Sequence, residues 1–259
     1  MNELTVLLPA YNEEENIEAL IERWQRVRIP IRDTYALSLK IVVINDGSSD
    51  KTKNICEILE QKYTNFTLIN HIQNKGLGEA VKTSITYVVK DRPKCTYACI
   101  MDCDNTHEPK YILDMLEEVQ LGNKTGTVDV VIASRYRKGS KIHGLSKYRV
   151  LASNCAKFVY RILLNVNDVK DYTCGYRLYS YEILSKAFDH FGNKIIEETG
   201  FSCMAELLYK LNILDARFKE IPFELRYDYK QGQSKMNVFK TSISSIKLVF
   251  RLRTLKIKR

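Results

Sequence analysis

No apolar run in this 259-residue sequence approaches the roughly 18 residues that a membrane-spanning helix needs. Nor is there a linker rich in Pro, Gly or Ser, or an internal repeat, so a single domain is expected. No two cysteines stand at CxxC spacing, and their number, seven, is odd. Cys99 and Cys103 flank a predicted strand end, too far apart along an extended chain to bridge. Reduced, partly buried thiols are expected, and a zinc site is not. Met1-Asn2-Glu3 runs straight into the apolar Leu4–Leu8, which leaves no room for a signal peptide and makes the cytosol the expected compartment. Absent motifs exclude further classes. Pro9-Ala10-Tyr11-Asn12-Glu13, after the first strand, has no glycine for a dinucleotide-binding turn, and no GxxxxGK[ST] loop occurs. The four histidines form no HExxH or similar pattern; His107 is read as structural.

What is present is an ordinary core and an uneven charge. Apolar residues make up 45% of the chain, enough for one substantial core. The net charge is +9, and two blocks are free of acid. Between Ser134 and Asn167 lie Arg135, Arg137, Lys138, Lys141, Lys147, Arg149, Lys157 and Arg161. From Lys240 onward come Lys247, Arg251, Arg253, Lys256, Lys258 and Arg259. Charge runs are usually solvated surface. Two such blocks suggest partners that carry phosphate, a nucleotide or a lipid head group. No nucleic-acid-binding motif accompanies them, so nucleic acid is not an expected partner.

The first half alternates strand and helix patterns. Leu4–Leu8, Leu39–Ile44, Tyr97–Met101 and Val128–Ala133 read as strands, and the continuous run Leu39–Ile44 as one buried on both faces. Between them, Ile17, Leu20, Ile21 and Trp24, then Ile55, Ile58 and Leu59, then Leu77, Ala80, Val81, Ser84, Ile85 and Val88, then Ile112, Met115, Leu116 and Val119, recur at helical spacing. This predicts an α/β fold, a Rossmann-like, mostly parallel sheet with helices on both faces and ligands at the carboxyl ends of its strands. After Ser134 a basic loop leads to helices predicted near Lys147–Leu164, Glu182–Phe188 and Ser202–Leu211, a short strand within Asp171–Ser180 and an extended segment at Ala216–Arg226.

Polar clusters close successive strands: Pro9-Ala10-Tyr11-Asn12-Glu13, then Asn45-Asp46-Gly47-Ser48-Ser49-Asp50, then Asp102-Cys103-Asp104. Singly, each has a structural explanation. Asn12 with Glu15 could form a capping box, and Asp46-Gly47 a turn. Together, carboxylates at one sheet edge repel unless a cation or ligand joins them. Asp102 and Asp104 are two residues apart, so on an extended chain they point to one side. Oxygen ligands of this kind suit Mg²⁺ or Mn²⁺, which complete their shell with water and substrate phosphates.

These segments, with Asn74-Lys75-Gly76-Leu77-Gly78 and Ser134-Arg135-Tyr136, resemble the family 2 glycosyltransferases of the GT-A fold. Arg149-x-x-x-Ser153, Asp171-Tyr172-Thr173-Cys174-Gly175-Tyr176-Arg177 and Gly232-Gln233-Ser234-Lys235 look like its dolichyl-phosphate mannosyltransferase, or polyprenyl-phosphate glycosyltransferase, branch. The likeness runs from about Leu4 to Asn237. It implies that Pro9, Tyr11, Glu13 and Asp46 hold the nucleoside, with Asp46 accepting from the base and Lys75 assisting. It implies that Asp102 contacts ribose or the metal shell and that Asp104 ligates the metal. Arg135 would lie between donor and acceptor phosphates, Arg149 and Ser153 would grip the acceptor phosphate, and Lys235 would reach the donor diphosphate. The branch often has Gln where this chain has Thr106, whose hydroxyl can reach a metal directly or through water. Asn45 replaces the first acid of the usual Asp-Asp-Gly-Ser. Tyr229 stands where the branch often has Arg, with Arg226 or Lys230 as substitutes.

The resemblance implies an inverting transfer of a hexose from a nucleotide-sugar, GDP-mannose or UDP-glucose, to a polyprenyl or dolichyl phosphate. An acceptor phosphate is already anionic and needs no general base, whereas a sugar hydroxyl would need one, with Asp171 the best candidate. Transfer to a sugar hydroxyl in glycan synthesis and non-catalytic nucleotide-sugar binding beside a membrane protein are the competing readings. Residues 1–237 form the expected catalytic domain. In residues 238–259, Phe239, Ile243, Ile246 and Phe250 recur at helical spacing beside Lys240, Lys247, Arg251 and Arg253. That pattern suits either a helix packed on the domain or an interfacial helix on an anionic membrane surface, with a membrane-embedded partner compatible. The expected place of work is the cytosolic face of a membrane.

Overall fold

The computed structural model describes residues 2–125, 127–144, 160–229 and 248–252. In chain order its elements are β1 (Asn2–Ala10), α1 (Ile17–Tyr35), β2 (Leu37–Asn45), α2 (Thr52–Lys62), β3 (Phe66–Asn70), α3 (Leu77–Asp91), β4 (Cys95–Ile100) and α4 (Tyr111–Thr125). There follow β5 (Val130–Ser134), β6 (Lys141–His143), β7 (Arg177–Ser180), α5 (Tyr181–Phe191), α6 (Cys203–Ile213), β8 (Phe218–Pro222) and β9 (Glu224–Arg226).

The continuous apolar runs become the sheet centre because helices cover both faces. Leu4, Val6, Leu7 and Leu8 of β1 and Ile41 to Ile44 of β2 are completely buried. The main sheet has the order β3-β2-β1-β4-β7-β5-β8. Every neighbouring pair is parallel except β7, which runs antiparallel to both β4 and β5. The expected mostly parallel α/β sheet is thus present, with one reversed strand.

Register decides where the chemistry lies. Ala10 pairs with Asn45, and Leu7 pairs with Ile100, so the loops after β1, β2 and β4 leave from one edge. Arg177 at the start of β7 faces Ile100 and Ile132, which brings Gly175 and Arg135 to that same edge.

Several elements differ from expectation. Helix α1 continues through Pro30 to Tyr35, although a proline there removes one backbone donor. The edge strand β3 was not legible, and β6 lies in the stretch read as a basic loop. The extended segment Ala216–Arg226 is two strands: β8 joins the main sheet, and β9 leaves it to pair with β6 in a separate ribbon. Of the helix expected at Lys147–Leu164, only residues 160–164 are described, and they are helical. Among the described residues no helix is long and apolar enough to cross a membrane. Cys56, Cys95, Cys99, Cys103, Cys174 and Cys203 are all free and buried. Burial pushes the Cys56 and Cys174 thiols up to about 12, which keeps them protonated and inert.

Candidate functional site

The loops after β1 and β2 are interlaced. The amides of Asn12, Glu13 and Glu14 donate to Ser48 Oγ (2.9 Å), Thr52 Oγ1 (2.8 Å) and Asp50 Oδ2 (3.2 Å). In return Asn12 Oδ1 accepts from the Ser49 amide at 2.8 Å. Asn12 sits at φ 53°, a left-handed conformation that Asn tolerates. It therefore crosses to the neighbouring loop and does not cap α1, whose N-cap is Asn16. Pro9 is half-buried, Glu13 half-exposed, and Tyr11 exposed at this edge.

Asp46 is buried, and its carboxylate is already engaged. Oδ1 accepts from His71 Nδ1 (2.7 Å) and the Lys75 amide (3.0 Å), and Oδ2 from the Gly76 amide (2.8 Å). With these three bonds it clamps the loop that leads into α3. Lys75 rides on that loop with its side chain exposed. His71 carried no motif and was not singled out by sequence.

Asp102 and Asp104 are half-exposed on either side of the buried Cys103, the alternation that places both carboxylates on one side. Asp102 lies against Gly175, where a Cβ would come within 2.8 Å of Oδ1. Thr106 is buried and directs its hydroxyl to Asp104 Oδ1 at 2.6 Å, orienting the carboxylate. Asn105, at φ 61°, is tied to Asn16 (3.1 Å) and to the Arg23 guanidinium, which also pairs with Glu108 at 2.9 Å. His107 is buried and stacked on Phe223 at 5.4 Å, with Nε2 3.7 Å from Cys174 Sγ and Nδ1 3.9 Å from Asp102 Oδ2. Among the described residues no three His, Cys, Asp or Glu side chains form a metal cage. Two accessible carboxylates without a cage fit Mg²⁺ or Mn²⁺, whose remaining positions go to water and phosphate oxygens.

Arg135 is fixed by a fully buried partner. Its Nε and Nη2 donate to Asp171 Oδ2 (2.8 Å) and Oδ1 (2.6 Å), and Nη2 also reaches Thr173 Oγ1 at 2.7 Å. Burial works to raise the Asp171 pKa, but the charge and hydrogen bonds of Arg135 bring it below the ordinary carboxylate value. Asp171, buried and bonded to Arg135 through both oxygens, therefore braces that guanidinium. Glu220, also missed by sequence, accepts the Lys170 and Asp171 amides at 2.8 and 2.7 Å and pairs with Arg137 at 3.0 Å. Arg226 stacks on Tyr229 (3.8 Å) and binds Asp228 at 2.7 Å, while its amide donates to the Thr106 carbonyl at 2.9 Å. Lys230, Arg149, Ser153 and Lys235 lie outside the described residues.

The sequence profile of Glycosyl transferase family 2 matches residues 5–188. A dolichol-phosphate mannosyltransferase of Pyrococcus furiosus is 29% identical over 250 residues, 96% of this chain and 63% of that protein. A dolichyl-phosphate beta-glucosyltransferase of Trichomonas vaginalis is 25% identical over 223 residues, 85% of this chain and 65% of that one. The chain thus spans under two thirds of the length of both curated relatives. A mannosyltransferase from Pyrobaculum calidifontis, solved with GDP-Man and Mn²⁺, superposes with a TM-score of 0.60 at 15% identity, covering 98% of this chain and 65% of that one. At that identity the likeness establishes a shared fold.

Proposed function

The chain belongs to Glycosyl transferase family 2, and from that premise we propose that it moves a hexose from a nucleotide-sugar, GDP-mannose or UDP-glucose, to a polyprenyl phosphate. The observation that carries this reading is the Asp102–Asp104 pair, held half-exposed against Gly175 where the β1, β2 and β4 loops converge. The curated relatives, which transfer mannose or glucose to dolichyl phosphate, support the acceptor class.

In the proposed reaction an acceptor phosphate oxygen attacks the anomeric carbon. The bond from that carbon to the donor diphosphate breaks, its electron pair leaves with the nucleoside diphosphate, and the configuration inverts. A divalent cation, when bound by Asp102 and Asp104, supplies positive charge for the leaving diphosphate. Thr106 keeps Asp104 oriented. Pro9, Tyr11, Glu13, Asp46 and Lys75 are the proposed nucleoside contacts, and Asp46 also shapes their loop. Arg135, anchored by Asp171, presents fixed positive charge between the two phosphates. Arg149 and Ser153 are proposed to grip the acceptor phosphate and Lys235 the donor diphosphate. The locked Asp171 disfavours a sugar hydroxyl as acceptor, since such an acceptor needs a base.

The catalytic part is proposed to span residues 1–237, with residues 238–259 resting on an anionic membrane surface at its cytosolic face. The 66% exposure of Phe250 supports that second assignment. Incubating the protein with radiolabelled donor, Mn²⁺ and polyprenyl phosphate should yield an organic-extractable sugar lipid. Asp104→Asn should lower the rate by about 100-fold or more, as loss of a preorganised charge site does. Activity on a soluble oligosaccharide with none on polyprenyl phosphate would overturn the acceptor assignment.

A further inference from the structure

We propose that His71 is a positioning residue for nucleotide binding, acting through Asp46 on the loop that runs from Asn74 to Gly78. This rests on reading the edge of β2 as the nucleoside side of the site. His71 follows β3 directly, and its amide donates to the Asn45 carbonyl at 2.9 Å. The side chains of His71 and Asp46 are only 8% and 4% exposed. A carboxylate can only accept, so His71 Nδ1 carries the proton it gives to Asp46 Oδ1 at 2.7 Å. In the neutral ring Nε2 then offers a lone pair to the Thr83 hydroxyl, 2.9 Å away on α3. One hydrogen-bonded chain thus joins the end of β2, the residue after β3 and the second turn of α3.

The loop it controls has little slack. Asp46 also accepts the Lys75 and Gly76 amides, fixing the loop's height above the sheet edge. Beneath it, a Cβ at Gly47 would lie 2.4 Å from the Asn74 nitrogen, so the loop rests directly on that glycine. Above it, a Cβ at Gly76 would lie 2.5 Å from the Thr199 carbonyl oxygen. The residues from Ile72 to Lys75 are exposed, although the Lys75 amide is itself bonded to Asp46. A buried polar anchor under an exposed tip is what a loop needs when its own groups must meet a ligand without first being ordered.

A histidine that merely fills its pocket and one that sets Asp46 respond differently to two amide replacements. Asn at this position keeps a donor where Nδ1 stood, and so retains the link to Asp46. Gln places its amide nearer the former Nε2, keeping Thr83 and leaving Asp46 one donor short. GDP and UDP binding with Mn²⁺, measured by calorimetry, should weaken about tenfold or more in His71→Gln and at most about threefold in His71→Asn, the cost of an unmade hydrogen bond to a charged group. Donor KM should follow, with kcat within about twofold of the parent protein. Amide exchange without any ligand supplies a separate readout: His71→Gln should speed exchange at Lys75 and Gly76, and His71→Asn should not. Equal effects of the two replacements, or unchanged exchange in His71→Gln, would overturn the proposal. If the parent protein binds neither nucleotide, the nucleoside assignment falls, and the exchange data alone decide the clamp. Thr83→Val, which removes only the far partner, should shift exchange in the same direction by a smaller factor.

Discussion

Asp102 has room at the sheet edge because residue 175 has no side chain. A methyl there would come within 2.8 Å of Oδ1 and 2.9 Å of Oδ2, the movable end of a carboxylate. Gly175→Ala should therefore displace Asp102 and leave the backbone in place. Thermal or urea unfolding should change by less than about 1 kcal/mol, while Mn²⁺ affinity in the presence of nucleotide falls about tenfold. Asp171 behaves in the opposite way, since it is buried and holds Arg135. Its folded pKa lies below the ordinary carboxylate value, so its contribution to stability is present above pH of about 4 and is lost as the pH falls through the folded value. Asp171→Asn should cost about 3–5 kcal/mol at neutral pH, because it strands a buried guanidinium. Urea melts of the two proteins should converge as the pH drops below about 4.

At the scale of elements, the start of α3 meets the segment that precedes α6. The Gly78 amide donates to the Thr199 carbonyl at 3.0 Å, and a Cβ on Gly78 would fall 1.7 Å from the Glu198 carbonyl oxygen. That obstacle is backbone, itself held by Glu206, which accepts the Glu197 and Glu198 amides at 3.0 and 2.8 Å. Gly78→Ala should destabilise the fold by about 1–3 kcal/mol through overpacking. Gly200→Ala, with nothing within 4 Å of its Cβ, should be neutral in the same unfolding series. Such contacts explain what was legible in sequence. The runs at Leu4–Leu8 and Leu39–Ile44 announced β1 and β2 because burial on both faces favours apolar residues, the exceptions Thr5 and Lys40 each being hydrogen-bonded. By contrast, β3 is half-exposed along Thr67 to Ile69, and β6 is three residues with no buried position. Neither has a period long enough to read. The Asp102–Cys103–Asp104 spacing disclosed its own geometry. The roles of His71 and Glu220 depend on partners 25 and 50 residues away, a separation no local pattern encodes.

Across the molecule, residues 248–252 tie a core-packed stretch to one exposed aromatic side chain. Leu248, Val249 and Leu252 pack into the core, Arg251 turns inward to Glu198 (3.0 Å) and Glu206 (3.1 Å), and Phe250 stands out. Flotation with liposomes should show binding that rises with the anionic lipid fraction and falls in Phe250→Ser. Binding indifferent to lipid charge would remove the membrane-surface assignment. The reversed strand β7 has a consequence for how the sheet is completed. Until residues 177–180 arrive, β4 and β5 have no hydrogen-bonding neighbour between them, and the earlier part of the sheet ends in the bare flank of Cys95–Ile100. A nascent chain stopped short of β7 would thus present a raw apolar seam to other chains, an aggregation hazard that the arrival of β7, with the buried Arg177 guanidinium bonded to the Tyr172 and Met204 carbonyls at 2.8 Å, seals from within.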